Sequence, residues 1–389
     1  SQRLHDFQLA KRIHPCLGCT NSKSRLVHIR VAACILLTLA GCARFRVQEL
    51  KPTRVFAVPL LSAFPHLAKG SDEFTRPIQI AGITSSPAIL GNRIFIPDPT
   101  AGMVRIFKRN ADTADSVVAD KLEKGSEATL IRVRAGIPGR AVSDDDENVF
   151  IVLHEGPAPD EKNEPEPPPE RRTTDRFNAN AFMDTPARIV HIKEDQLAGI
   201  FGREGGKEGP AFERILRLHA IEGALYVFHS VGGARQLSVY QNEKRIKQFE
   251  NFTIPENDAL KYFTDIEDMF PAGQSVIVSV VLRNKNTFAP EARRVYSWDG
   301  HTANLIYTID EDADQFIAAR PDGGFTVANS EDGNRMLLKI YSPSGEYLNN
   351  RLIVMPDFRN TWREVTVDAA GRVFSNRIYK GSFEVYEWK

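Results

Sequence analysis

The chain has 389 residues, of which 42% are hydrophobic and 26% are charged, a composition typical of a globular protein with one large domain or two smaller ones. Lys and Arg together number 50, and Asp and Glu together also number 50. Because no basic excess is available to neutralise a phosphate backbone, the composition argues against a nucleic-acid partner.

The first part of the chain has the organisation of an export signal. Arg25 and Arg30 precede the apolar run VAACILLTLAGC, which ends at Cys42. A basic segment followed by a short apolar segment is typical of a secretory signal peptide, and this run is too short to cross a hydrocarbon core of roughly 30 Å as a helix. The alternative is a buried apolar segment of the fold that ends in a cysteine.

The end of this run, Leu39-Ala40-Gly41-Cys42, resembles the lipobox of bacterial lipoproteins. The resemblance implies cleavage before Cys42 and a diacylglycerol on its thiol, so that acyl chains hold the protein at a membrane surface. It predicts an upstream segment and signal peptide over residues 1–42, and a tether with a possible closing strand over residues 43–75. The predicted location is the cell envelope, facing the periplasm or the cell surface.

All four cysteines, Cys16, Cys19, Cys34 and Cys42, lie in this leader. A secreted domain held by disulfides distributes cysteines through its fold, so the rest of the chain must rely on its hydrophobic core. The Cys16-x-x-Cys19 pair is compatible with zinc or redox chemistry, but a zinc site needs further ligands at suitable spacing and no second pair follows. We interpret the pair as part of a segment that precedes the true start or is removed with the signal.

From about residue 80 the chain contains six copies of one pattern. Each copy has a turn residue, usually glycine, followed by a β-rich strand; the copies are GNRIFIPD, DENVFIVL, GALYVFHS, GQSVIVSV, GGFTVANS and GRVFSNRI. A second strand follows and closes with an aromatic or apolar residue; these residues are Phe107, Ile192, Tyr240, Tyr296, Tyr341 and Tyr386. A third apolar run follows most copies.

Alternating apolar and polar residues in short runs, bounded by Gly, Asp and Asn, indicate antiparallel sheet. Four short strands per unit of roughly 45–55 residues are typical of β-propeller blades. The sequence therefore predicts an all-β fold, a six-bladed β-propeller over residues 76–389. Because the sixth unit stops after its third strand, we expect an N-terminal strand to close the last blade and cover its edge. The candidates lie near Val55–Leu60 and near Ile78–Ile83.

The most glycine-dense stretch, GIFGREGGKEGPAF, lies between the second and third units. A phosphate-binding P-loop would need a glycine in place of Phe201 and a Ser or Thr in place of Glu208, so a nucleotide site is the poorer interpretation. The stretch resembles the connection between blades of NHL-type propellers, through Phe201, Gly202, Gly205, Gly209 and Phe212. Together with the lipobox, the chain resembles NHL-like propeller lipoproteins of bacteria, including spirochaetal ones, which implies a fold and a location but no reaction.

One insertion interrupts the second unit. The segment EGPAPDEKNEPEPPPERRTTDR, residues 155–176, is rich in Pro and Glu and has almost no apolar residues. Burial cannot offset the entropy of ordering such a segment, so we predict a disordered or extended surface loop. The alternative is an arm that binds a partner.

The candidate ligand site is the mouth of the central channel, at the start of each innermost strand. Counting eight positions back from each turn residue, and adding neighbours, gives a polar set of mixed charge that is compatible with a small polar or peptide-like ligand. The set comprises Arg140, Arg214, Asp265, Gln315, Trp362 and Arg363. The alternative is that these side chains only line a solvated channel wall.

No catalytic constellation is recognisable: the histidines lack metal-ligand spacing, and no G-x-S-x-G elbow occurs. The sequence therefore predicts a lipid-anchored scaffold that binds an envelope protein or a glycan, with the membrane as a second partner through Cys42. No cofactor, metal site or catalytic residue is predicted. The alternative is a propeller hydrolase, lactonase-like, with a metal in the central channel.

Overall fold

The structure is a computed structural model that describes residues 47–59, 88–90, 93–98, 103–108, 129–132, 137–144, 147–155, 185–194, 196–309, 314–330, 334–355, 362–368, 370–379 and 382–389. All of them belong to one unit, Val47–Lys389. The predicted lipidation site Cys42, the candidate strand near Ile78–Ile83 and nearly all of the 155–176 insertion lie outside the described residues.

The described strands form antiparallel sheets in which neighbours along the chain are paired. The first sheet comprises β3 (Ala88–Leu90), β4 (Arg93–Asp98), β5 (Met103–Lys108) and β6 (Thr129–Arg132). The second comprises β7 (Ile137–Ser143), β8 (Asn148–His154), β9 (Ala187–Lys193) and β10 (Gln196–Phe201). The third comprises β11 (Arg214–Ile221), β12 (Ala224–Val231), β13 (Ala234–Gln241) and β14 (Lys244–Phe249).

A short helix, α1 (Glu256–Ala259), leads into the fourth sheet, which comprises β15 (Tyr262–Ala272), β16 (Ser275–Asn284), β17 (Pro290–Trp298) and β18 (Ala303–Ile309). The fifth contains β19 (Asp314–Ala319), β20 (Phe325–Ser330), β21 (Arg335–Tyr341) and β22 (Tyr347–Val354). The sixth contains β23 (Trp362–Val367), β24 (Val373–Tyr379) and β25 (Ser382–Trp388).

The N-terminal strands β1 (Gln48–Leu50) and β2 (Pro52–Pro59) complete the last two sheets. β2 pairs antiparallel with β25, which confirms an N-terminal closing strand and selects the candidate near Val55. β1 pairs in parallel with β22. The prediction of six four-stranded blades is therefore wrong: five blades have four strands, and the sheet of β19 to β22 has five. Gln48–Leu50, predicted to lie in a tether, instead satisfies hydrogen-bonding groups along the outer edge of β22.

The innermost strands follow one another in space as they do in the chain. β3 contacts β7, β7 contacts β11, β11 contacts β15, β15 contacts β19, and β19 contacts β23. Each of these strands lies at one edge of its sheet. This arrangement of radial sheets around the innermost strands confirms the predicted all-β β-propeller fold.

The turn residues and the closing residues of the predicted repeat lie in turns and in the core of the structure. The turn between the first two strands of the later sheets contains a residue with positive φ in each case, namely Glu147, Gly223, Gly273, Gly323 and Gly371. The residues that close the third strands are buried, including Ile192, Tyr240, Tyr296, Tyr341 and Tyr386. The second strands β8, β16 and β20 are buried along nearly their whole length, so both of their faces pack against neighbouring sheets.

The glycine-rich stretch connects β10 to β11, as predicted. Phe201 and Phe212 are fully buried, and they pack with Tyr240 between the second and third sheets. The Tyr240 hydroxyl donates a hydrogen bond to the carbonyl of Arg203, at 2.5 Å. The connection is therefore a packed corner between two blades.

Candidate functional site

Each innermost strand from β7 to β23 contains a β-bulge. The register shifts lie at Pro138/Ala141, Ile215/Arg217, Ile266/Asp268, Phe316/Ala318 and Trp362/Glu364. A bulge inserts an extra residue, which bends the strand and re-aims the side chains that follow it. The residue after the bulge is charged at three sheets, namely Arg217 on β11, Asp268 on β15 and Glu364 on β23, and the first two of these sheets are neighbours.

These two residues form an ion pair across neighbouring sheets. Arg217 Nη2 lies 2.5 Å from Asp268 Oδ2, and the exposed fractions of the two side chains are 32% and 7%. Asp268 Oδ1 also accepts a hydrogen bond from the backbone amide of Met269, at 3.0 Å. The carboxylate is thus held from two sides, while the guanidinium keeps access to solvent.

Further side chains extend this pair around the axis. The Arg217 guanidinium lies 5.1 Å from the centre of the Phe270 ring, and the His219 ring stacks at an angle on the same ring, at 4.3 Å. Arg140, from β7, donates a hydrogen bond from Nη1 to the carbonyl of Leu216, at 3.2 Å. We refer to Arg140, Arg217, His219, Asp268 and Phe270 as the axial cluster.

The axial cluster draws on four sheets when its aromatic neighbour is included. Phe270 meets Phe316 of β19 edge to face, with ring centres 5.3 Å apart. Arg140 belongs to the second sheet, Arg217 and His219 to the third, and Asp268 and Phe270 to the fourth. Only residues close to the propeller axis can join so many sheets, so the cluster lies in the region where propellers commonly bind ligands.

Burial dominates the electrostatics of the axial cluster. It raises the pKa of Asp268 to about 6, against the opposing effects of Arg217 and Arg140. Burial also lowers the pKa of His219 well below its usual value, and the same two arginines lower it further. At neutral pH the cluster therefore contains a neutral imidazole beside two guanidinium groups and one carboxylate.

Two features of the cluster leave hydrogen-bonding capacity for a ligand. The buried Nε2 of His219 has no hydrogen-bond partner within the part of the chain that the structure describes. Arg217 carries five N–H donors, and its ion pair with Asp268 is made through Nη2. Within those same described residues, no group of three or more His, Cys, Asp or Glu side chains is arranged to hold a metal ion.

The predicted site residues all lie on innermost strands, but only Arg140 belongs to the axial cluster. Arg214 is the first residue of β11, and Gln315 is an exposed residue of β19. Asp265 is exposed and pairs with Arg283 of its own sheet, Nη2 to Oδ2 at 3.4 Å. The strand β23 begins with Trp362 and Arg363, whose side chains the structure does not describe.

Sequence reasoning missed the roles of Arg217, Asp268 and Phe270. Counting back from the turn residues assumed regular strands, whereas a bulge shifts the register of each innermost strand by one residue. A partial signal was present: Arg217 is flanked by Leu216 and Leu218, and Asp268 directly precedes Met269 and Phe270. A buried charge in a strand is uncommon unless it is paired.

No protein-family model matches the chain, and no curated protein matches it. Solved structures do match. The β-propeller domain of the trilobed protease from Pyrococcus furiosus is 13% identical, with a TM-score of 0.44 over 79% of this chain and 82% of that domain. An acylaminoacyl peptidase from Pyrococcus horikoshii is also 13% identical, with a TM-score of 0.42 over 79% of this chain and 44% of the peptidase.

A prolyl endopeptidase is 9% identical, with a TM-score of 0.42 over 77% of this chain, and the chain spans only 40% of the length of that enzyme. Likeness at such low identity concerns the fold alone. The described part of the chain contains no helix with the length and apolar character needed to cross a bilayer. The function of the chain must therefore be argued from its own residues.

Proposed function

We propose that this protein is a lipid-anchored propeller of the cell envelope, with NHL-like repeats, that acts as a scaffold and binds an envelope protein or a glycan at its axial cluster. Attachment to the membrane through Cys42 rests on the lipobox-like sequence. Binding rests on the axial cluster, because a rigid sheet framework holds its side chains in place before any ligand arrives.

One observation carries the binding proposal: the partly exposed Arg217 guanidinium is held by the buried carboxylate of Asp268. A charged side chain fixed by a buried partner loses little entropy when it binds an acceptor. His219, in contact with Phe270, adds a neutral imidazole nearby. The cluster therefore suits a ligand that presents a carboxylate or another hydrogen-bond acceptor to Arg217.

Capture of partners from envelope extracts tests this proposal. We expect the wild-type protein to capture a partner from the extract. The Arg217→Met variant should capture at least about tenfold less of it, since a hydrogen bond to a charged group contributes roughly 1.5–3 kcal/mol. Arg235→Met, which replaces an arginine on β13 away from the axial cluster, is the matched control. Equal capture by the wild type and Arg217→Met would refute binding at the axial cluster.

The anchor is tested separately. Mass spectrometry of the native N-terminal peptide is expected to find a lipid-modified Cys42, and Cys42→Ser is expected to move the protein from the membrane fraction to the soluble fraction. An unmodified Cys42 in membrane-associated protein would refute lipidation without affecting the binding proposal.

A second candidate function is hydrolysis, favoured by the contrasting ionisation of Asp268 and His219. Burial raises the pKa of the Asp268 carboxyl to about 6 and lowers that of the His219 imidazole, which is the kind of contrast that acid–base catalysis uses. Turnover of lactone or ester substrates by purified protein, abolished in both Asp268→Asn and His219→Gln, would favour the hydrolase over the scaffold. Elemental analysis would show whether that activity involves a metal.

A further inference from the structure

A pocket that shares no residue with the axial cluster lies between the fifth and sixth sheets. It has a volume of about 60 Å³, and its walls come from β20, β21, β22, β23, β24 and the turn between the last two. A single water needs at least roughly 10–15 Å³ measured in this way. The cavity therefore has room for a few waters or for one ligand with few non-hydrogen atoms.

Two kinds of surface line this cavity. Leu338, Ile340 and Val373 contribute apolar wall and are buried, as is Thr326, whose side chain adds a hydroxyl group. Arg320 and Arg351 contribute guanidinium groups. The lining residues include no carboxylate, so the charged surface within this described part of the chain is cationic.

Arg351 is positioned as a donor at the cavity. Its Nη1 donates a hydrogen bond to the carbonyl of Gly371 across the boundary between the sheets, at 3.0 Å. Its Nε is buried and has no hydrogen-bond partner among the described residues. A cationic side chain with an unused donor is costly to bury, so an anion in the cavity would stabilise the Arg351 guanidinium.

Arg320 is positioned at the entrance. Its side chain is 26% exposed, and its guanidinium is held by Asp322, with Nε to Oδ1 at 3.1 Å and Nη2 to Oδ2 at 3.0 Å. Ala370, which also lines the cavity, is exposed. The lining of the cavity thus reaches the protein surface at Arg320 and Ala370.

We propose that this cavity binds a small organic carboxylate, with the carboxylate on the guanidinium of Arg351 and a short alkyl group against Leu338, Ile340 and Val373. A guanidinium provides the charge-assisted donors that a carboxylate requires when it leaves water. The apolar walls favour an alkyl-bearing acid over an inorganic anion of the same charge.

Calorimetric titration of the purified protein with sodium acetate and sodium propionate, against sodium chloride at matched ionic strength, tests this site. We expect saturable binding of propionate, weaker binding of acetate and none of chloride. Arg351→Lys keeps the charge but loses the fork of donors, and it should weaken propionate binding at least about tenfold. Arg235→Lys, on β13 in the third sheet, is the matched control and should bind propionate as the wild type does.

Thr326→Val provides a second variant in case Arg351→Lys fails to fold. It keeps the shape of the wall but removes its hydroxyl. We expect propionate to bind severalfold more weakly while the melting temperature stays that of the wild type. Propionate binding that survives both substitutions would overturn the proposal. Equal binding of chloride and propionate, no saturable binding at all, or a crystal soaked in propionate that holds only water in the cavity would each overturn it as well.

Discussion

Arg217 and Asp268 lie on the innermost strands of neighbouring sheets, immediately after equivalent β-bulges, and their Nη2 and Oδ2 atoms are 2.5 Å apart. The two residues are 51 positions apart in the chain, a separation close to one repeat unit. The bulges of these two repeats therefore stand at equivalent positions of their innermost strands. Side-chain chemistry at these equivalent positions decides what the centre of the propeller can bind.

The ion pair is expected to respond asymmetrically to substitution. Arg217→Ala leaves the carboxylate of Asp268, which is 7% exposed, without its partner, whereas Asp268→Ala leaves a guanidinium that is 32% exposed. Urea denaturation at pH 8 should show that Arg217→Ala lowers the free energy of unfolding by about 3 kcal/mol and that Asp268→Ala costs less. Arg235→Ala should stay within about 0.5 kcal/mol of the wild type. A larger loss of unfolding free energy in Asp268→Ala than in Arg217→Ala would contradict the finding that Asp268 is the more buried partner.

Asp268 is also expected to shape the pH dependence of stability. Burial raises its pKa to about 6 in the folded protein, above the value of about 3.9 in an unfolded chain. The folded state thus binds the proton more tightly, so the stabilisation is present below the unfolded pKa and is lost as the pH rises through the folded pKa.

Unfolding measured from pH 4 to pH 7 in the wild type and in Asp268→Asn checks this sign. As the pH rises over this interval, the free energy of unfolding of the wild type should fall by up to roughly 3 kcal/mol relative to that of the variant. Other groups titrate in both proteins, so the difference between the two curves isolates Asp268. A difference that is constant with pH, or that grows in favour of the wild type as the pH rises, would be inconsistent with the raised pKa.

The corner between the second and third sheets is expected to depend on Phe212. Its side chain is fully buried, and its ring contacts those of His229 and Tyr240 at 5.2 and 6.0 Å. Phe212→Ala should lower the free energy of unfolding by about 3–5 kcal/mol, because it removes a large side chain and leaves a cavity. Leu197→Ala, at a position that is 47% exposed, should change it by less than about 0.5 kcal/mol. Similar effects at the two positions would argue against a packed corner.

Closure of the last sheet is expected to depend more on Glu384 than on Arg54, its more exposed partner. Glu384 is 5% exposed and accepts hydrogen bonds from Arg377 Nε at 2.6 Å and from the Tyr386 hydroxyl at 2.8 Å. It also accepts one from Arg54 of the closing strand β2, at 3.3 Å, and the Arg54 side chain is 39% exposed.

Glu384→Ala should therefore lower the free energy of unfolding by about 2–4 kcal/mol, because it strips acceptors from buried donors. Arg54→Ala should cost less than about 1 kcal/mol. Thermal and urea unfolding measure both effects, and limited proteolysis should detect earlier release of β2 only in Glu384→Ala. Wild-type stability in Glu384→Ala would contradict a role for this network in closing the propeller.

The local features of this protein followed from its sequence. Period-two alternation depends only on neighbouring residues, and it located the strands together with turn residues such as Gly223 and Gly273 and buried positions such as Tyr240. The short last unit predicted an N-terminal closing strand, because an unpaired edge next to the chain end needs a partner. Burial of Phe201 and Phe212 also followed, since both flank a glycine-rich corner between strands.

The pairings between distant segments were decided only by the tertiary structure. Gln48–Leu50 is too short and too polar for its sequence to predict a strand. It forms one because it pairs with the outer edge of β22. The bulges shift the innermost strands by one residue, and this shift brings Arg217 to Asp268 and His219 to Phe270. Such contacts depend on how whole sheets pack around an axis, which is a long-range property that no local sequence pattern encodes.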